Sequence, residues 1–155
     1  MRLRRLDLTR YGRFTDRSLD FGPGEPDRPD LHIVHGPNEA GKSTLLNAWL
    51  DLLFGIHARS SYNFLHPYDA LRIGAVLDLP DGQRELVRVK KTRDSLLDPA
   101  GRPVPDGMLR AALGGIERKD CADMFALDAS TMEDGGELIL SSKGNLGQLL
   151  FSASA

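Results

Sequence analysis

Residues 36 to 44 run Gly36-Pro-Asn-Glu-Ala-Gly41-Lys42-Ser43-Thr44 and complete the pattern G-x-x-x-x-G-K-[ST]. Each residue type suits a polyphosphate. Gly36 and Gly41 free the backbone for tight curvature, so that the N–H groups of Pro37's neighbours Asn38, Glu39 and Ala40 can converge on an anion. Lys42 brings a point charge for the β- and γ-phosphates. The Ser43 hydroxyl is placed to ligate Mg²⁺, with Thr44 beside it. A helix opening at this point aims its positive end at the same anion. The chemistry is nucleotide binding, with ATP and Mg²⁺ as ligands and Ser43 as the metal residue.

Such a loop works only between a strand and a helix. Leu31, Ile33 and Val34 form a short apolar run, and the pattern predicts a buried strand over 31–35. Leu45, Leu46, Trp49, Leu52 and Leu53 recur at helical spacing, and Gly55 is expected to stop the helix. Upstream, Leu3, Leu6 and Leu8 mark an opening strand; 11–16 reads as a turn and 18–21 as a returning strand. Residues 22–29 read as a surface loop and 57–68 as irregular. Strands are expected over 71–79 and 85–89 around a turn at 80–83, then a loop over 98–105 and a short helix over 108–113. Residues 123–127 read as a strand, 130–133 as a turn or helix start, and 137–140 and 145–151 as helices.

The 155 residues suffice for one domain with a sizeable core. A net charge of −2 gives no global field toward nucleic acid or membrane. No apolar run approaches the roughly 20 residues that span a bilayer, and the N-terminus lacks an apolar signal core, so no membrane partner is expected. One cysteine, Cys121, excludes an internal disulfide and reads as a small packed residue; a cytoplasmic setting is expected.

Hydrolysis needs more than the loop. A carboxylate must hold the Mg²⁺ shell and another group must position water. Two apolar runs end in Asp. The first, Asp78, runs into a hairpin turn. The second, Asp128, is better placed as a catalytic residue, but Ala129 follows where a second acid belongs; it reads either as a metal- or water-positioning group or as a cap of the turn at Ser130 and Thr131. Gly135 and Gly136 lack a preceding Ser, so no Leu-Ser-Gly-Gly signature is present.

Several stretches together resemble the N-terminal half-head of SMC-type ABC ATPases, nearest the YhaN-like, SbcC-related branch. They are Leu6-Asp-Leu-Thr-Arg-Tyr-Gly-Arg-Phe-Thr-Asp16, the strand ending Asp20-Phe21, His32-Ile-Val-His-Gly-Pro-Asn-Glu-Ala-Gly-Lys-Ser-Thr-Leu-Leu-Asn-Ala48, Leu53-Phe-Gly55 and Leu149-Leu-Phe-Ser-Ala-Ser-Ala155. The resemblance implies an α/β P-loop NTPase lobe with a mixed sheet and an antiparallel β-subdomain, residues 1–155 being the front part of a longer coiled-coil protein. It implies that the C-terminal half of the head carries the missing motifs, that two heads dimerise around ATP, and that the process is DNA repair or chromosome maintenance with a possible nuclease partner. Asp128 falls near the family's glutamine loop, where this sequence departs from the pattern. Arg13 matches the position from which such heads reach toward nucleotide phosphates.

Arg2, Arg4, Arg5, Arg10, Arg13 and Arg17 crowd the first hairpin, and Arg84, Arg88, Lys90, Lys91 and Arg93 the second. These stripes read either as solvated strand faces or as a track for DNA. His66 and Tyr68 either pack their loop or reach the nucleotide. Two rival functions share the loop: a small nucleotide or metabolite kinase, which needs an Arg-bearing helical lid, and a non-hydrolysing module whose assembly ATP controls.

Overall fold

In the computed structural model, residues 1–24 and 30–126 are described. The chain divides into two compact units, Met1–Ile116 and Glu117–Ala155. The first holds a five-stranded sheet in the order β2-β1-β3-β4-β5, with β1 Arg2–Tyr11, β2 Phe14–Asp20, β3 Arg72–Leu79, β4 Gly82–Val89 and β5 Leu96–Leu97. Every ladder is antiparallel. Helix α1, Lys42–Phe54, enters the chain between β2 and β3, and α2, Gly107–Ala112, follows β5.

One sheet face is the core. Ile73, Ala75, Leu77 and Leu79 alternate inward on β3, and Leu86 continues the row on β4. They pack with Ala48 and Leu52 of α1 and Leu109 of α2. Each fully buried leucine stabilises by about 1.5–3 kcal/mol. Strand β1 follows the same rule through two register shifts against β3, between Leu3 and Arg5 and between Leu8 and Arg10. Each shift changes which parity faces in. Leu3 packs inward, then Leu6 and Leu8, and then Tyr11, which is fully buried. The second shift therefore delivers an inward tyrosine at the end of the strand nearest the phosphate loop.

Both hairpins are tighter than the sequence suggests. Tyr11 pairs with Phe14, so the first turn is Gly12 and Arg13 alone, and Phe14 to Asp16 belong to β2. Leu79 pairs with Gly82, leaving a turn of Pro80 and Asp81. Helix α1 ends as expected: Gly55, at φ 96, donates its N–H to the Asp51 carbonyl.

Two expectations fail. Residues 31–35 form no strand, and Leu31, Ile33 and Val34 are 79%, 78% and 45% exposed. A strand needs a hydrogen-bonded neighbour, and the sheet order β2-β1-β3-β4-β5 includes no pairing with 31–35. The sheet is consequently antiparallel, not mixed, among the described residues. In the second unit, residues 123–125 are not strand but the end of a helix, α3, Arg118–Phe125. Arg118, Lys119, Asp120 and Asp123 break any alternation, and Lys119 pairs with Asp123 one turn on at 2.5 Å. Cys121 is buried in this helix, and burial raises its thiol pKa. Asp128, Ala129, the turn at 130–133 and the expected helices over 137–140 and 145–151 lie outside the described residues. Among the described residues no helix is long and apolar enough to cross a membrane.

Candidate functional site

The phosphate loop is shaped by its own backbone and by the first hairpin. Ala40 donates its N–H to the Pro37 carbonyl at 3.2 Å, closing a turn. Glu39 sits at φ 64 and Gly41 at φ 100. Gly41 is the residue before α1, and Leu45 N–H returns to its carbonyl at 2.9 Å. The first-turn N–H groups of a helix have no intrahelical partner. No side chain caps this end, and no acidic residue occupies the first turn. The positive end of the helix dipole thus faces the loop without an internal counter-charge.

Lys42 Nζ donates to the Gly36 carbonyl at 2.8 Å and to the Pro37 carbonyl at 2.9 Å, which holds the ammonium in the mouth of its own loop. The hairpin turn presses on the loop from the side. A Cβ on Gly41 would lie 2.5 Å from the Phe14 ring and 3.2 Å from the Arg13 stem; one on Gly12 would lie 2.5 Å from Thr44 Cγ2. Glycine at both positions is required by space as well as by positive φ. Arg13 donates to the Glu39 carbonyl oxygen.

The result is an open cleft of about 690 Å³, lined by Arg13, Asn38, Glu39, Gly41, Lys42, Ser43 and Thr44, together with Phe64 and Leu65. Of the residues singled out from sequence, the loop and Arg13 come together here. Gly36, Pro37 and Ala40 form the back of the loop. Asp78 does not join them. It pairs with Arg4 at 2.7 Å, beside Arg2 in the ladder, and β1 runs its whole length from there to the turn at the cleft. His66 and Tyr68 pack: His66 Nε2 lies 2.8 Å from the Phe14 carbonyl oxygen, and Tyr68 donates to the Ala58 carbonyl with Lys90 over its ring. Asp128 lies outside the described residues.

Part of each basic stripe is neutralised. Arg2 pairs with Asp30, Arg4 with Asp78, Arg5 with Asp7 and Glu85, and Arg84 with Asp81. Arg88 is not solvated at all. It is 1% exposed, on the same inward face as Leu86, and donates to the Leu52 and Leu53 carbonyls that end α1. It also bonds Ser95 Oγ at 2.9 Å and Asp106 Oδ1 at 2.5 Å. A cation at the negative end of a helix dipole is favourable.

Sequence reading missed three features. Arg88 is one; strand parity with Leu86 is the signal for it. The second is the buried pair of Tyr11 and Asp51, in which the hydroxyl donates to Oδ2 at 2.6 Å while the Tyr62 ring stacks on Tyr11 at 5.0 Å. The third is the apolar rim of the cleft, Phe64 and Leu65.

Polyphosphate fits this donor set: backbone N–H groups, a helix terminus and the Lys42 ammonium are all anion ligands. The described residues hold no group of three or more His, Cys, Asp or Glu able to bind a metal. A Mg²⁺ ion here would rely on Ser43 and on phosphate oxygens, a coordination that suits this ion.

Comparison with known proteins agrees with this chemistry. The sequence model of a family described as an AAA domain matches residues 1–155. An AAA domain is a P-loop NTPase domain, the fold class that the loop and its helix indicate. Among curated proteins the chain is similar to the Uncharacterized protein YhaN of Bacillus subtilis (strain 168), 21% identical over 159 residues. The match covers 99% of this chain and 15% of that protein, so the chain spans about 15% of its relative's length. The likeness to the YhaN-like branch read from the motifs is found again here.

Proposed function

The chain belongs to the AAA domain family, and from that premise we propose that it binds ATP with Mg²⁺ through residues 36–44 and Arg13. The observation that carries the reading is the joint geometry of Lys42 and the start of α1. The ammonium lies within the loop, the uncapped helix end faces it, and the Arg13 turn closes the side. Ser43, exposed in the first turn, is the Mg²⁺ residue. Arg13 reaches the phosphates from the turn once it leaves the Glu39 carbonyl.

On this reading the chain is one lobe of an SMC-like head. Hydrolysis takes place in a complete head, dimerised around ATP, with the signature motif and catalytic acid supplied by the C-terminal half. The exposed Leu31, Ile33 and Val34 support it: their composition suits a strand buried between neighbours, and such neighbours would come from that half. DNA repair or chromosome maintenance, a DNA ligand, a nuclease partner and a coiled coil rest on the YhaN-like resemblance. The hairpins, in which Arg2, Arg4, Arg5, Arg84 and Arg88 are ion-paired, lend the DNA ligand no support of their own.

Calorimetry with ATP and Mg²⁺ tests the binding reading. Lys42→Ala is expected to abolish measurable affinity, because the phosphates lose the one cation of the loop. Unchanged affinity would sink the proposal.

A further inference from the structure

The cleft combines two chemistries. Its floor is the phosphate loop, and its rim is hydrocarbon: Phe64 and Leu65 are 61% and 60% exposed. Scattered apolar residues on a surface need no explanation. These two differ because they are held in place beside an anion site. On one side of them, Gly12 N–H donates to the Tyr62 carbonyl at 2.8 Å, and the Tyr62 ring stacks on buried Tyr11. On the other side, His66 Nε2 donates to the Phe14 carbonyl oxygen at 2.8 Å and lies 3.2 Å from Thr15 Oγ1. The few residues between these anchors arch over the hairpin turn.

That turn also abuts the phosphate loop. A Cβ placed on Gly12 would lie 3.5 Å from Phe64 Cζ and 2.5 Å from Thr44 Cγ2. Ring, turn and loop are therefore in contact across one glycine. A nucleotide whose phosphates occupy the loop must leave its nucleoside at the rim of the same cleft. The ring at that rim is fixed, solvent-facing and aromatic.

We propose that Phe64, flanked by Leu65, is the stacking platform for the nucleotide's base. The assignment rests on the nucleotide-binding reading above and adds a source of base preference to it. An aromatic face responds to the area and polarisability of a base and is tolerant of the groups on its edge. Adenine and guanine nucleotides are expected to bind alike, and both more tightly than cytosine nucleotides.

The test is calorimetry on the full chain with Mg²⁺ and, in turn, ATP, GTP, CTP and inorganic tripolyphosphate, which has no base. Phe64→Ala is expected to weaken ATP about tenfold, the usual loss when a stacking ring is removed, and to leave tripolyphosphate affinity within about twofold. Phe64→Trp is expected to retain ATP. The side chain is exposed, so truncation leaves the core intact. The platform is overturned if Phe64→Ala leaves ATP affinity unchanged, or weakens tripolyphosphate as much as ATP, which would make the ring a mere support for the loop. Equal affinities for ATP and CTP would also overturn it. Lys42→Ala keeps the two readings apart. If it removes both ATP and tripolyphosphate binding while Phe64→Ala is not selective, only the platform fails. If wild type binds neither ligand, or Lys42→Ala spares both, the phosphate-loop reading fails and the platform with it.

Discussion

Arg88 is expected to contribute more to stability through the end of α1 than through its acidic partner. Three of its acceptors are the Leu52 and Leu53 carbonyls, at 3.0 and 3.3 Å, and Ser95 Oγ at 2.9 Å. The fourth, Asp106, is 60% exposed at its side chain. Arg88→Ala leaves two carbonyls at a buried helix end without a donor, at roughly 1 kcal/mol or more each. It also removes two buried methylenes, at about 0.8 kcal/mol each. The total is on the order of 4 kcal/mol. Arg88→Met keeps the packed stem and loses only the bonds, so about 2 kcal/mol is expected. Asp106→Asn keeps an acceptor and removes a charge that water already screens, so about 1 kcal/mol or less is expected. Urea unfolding with an unchanged slope reads all three. If Asp106→Asn costs as much as Arg88→Ala, the ion pair and not the helix cap holds the joint. If Arg88→Met matches wild type, the carbonyls do not need the guanidinium, and the reasoning fails.

Two further outcomes follow from the geometry. Gly41→Ala places a Cβ 2.5 Å from the Phe14 ring at a backbone angle of φ 100, so it should lower the melting temperature and weaken ATP together; a variant with wild-type affinity would mean that the turn yields without disturbing the loop. Asp98 accepts the Arg102 backbone N–H at 2.9 Å and its guanidinium at 2.7 Å, which hold its carboxyl below the ordinary aspartate range. A lowered folded-state pKa stabilises above the unfolded value, and that contribution is lost as pH falls through the folded value. Asp98→Asn should therefore be less stable than wild type near about pH 6, with the difference shrinking toward about pH 3; a difference that is constant in pH in denaturation midpoints would contradict this.

What was legible in the sequence was local. The phosphate loop and the Gly55 stop are set by a few adjacent residues; the turn carrying Arg13 reads as 11–16 in sequence and is Gly12 and Arg13 alone in the structure. The strand expected at 31–35 was misread because its composition is right but its pairing depends on neighbours that the sheet does not supply. Arg88 reads as one of a row of surface cations; Arg84 shares its parity on β4 but lies near the exposed turn, and only the end of α1 packing over Arg88 separates the two. Phe64 lies in a segment with no periodicity, and its place at the cleft depends on Tyr62 and His66 gripping a hairpin some fifty residues earlier, His66 to Phe14 spanning 52 positions. Local pattern carries no trace of such contacts.

The strand order also bears on how the site comes into being during synthesis. Every residue of the phosphate loop and all of α1 emerge before β3, yet the inward faces of Ala48 and Leu52 have Ile73 and Leu86 as their packing surface. Strand β1 meets β3 through pairs such as Leu6 with Ala75, and Arg88 must then arrive to seat the far end of the helix. A nascent chain ending near residue 70 would carry the whole motif and the hairpin turn beside it, but none of the β3 and β4 surface behind α1. The packing that seats α1 behind the loop is thus completed late, when β3 and β4 supply the rest of its surface.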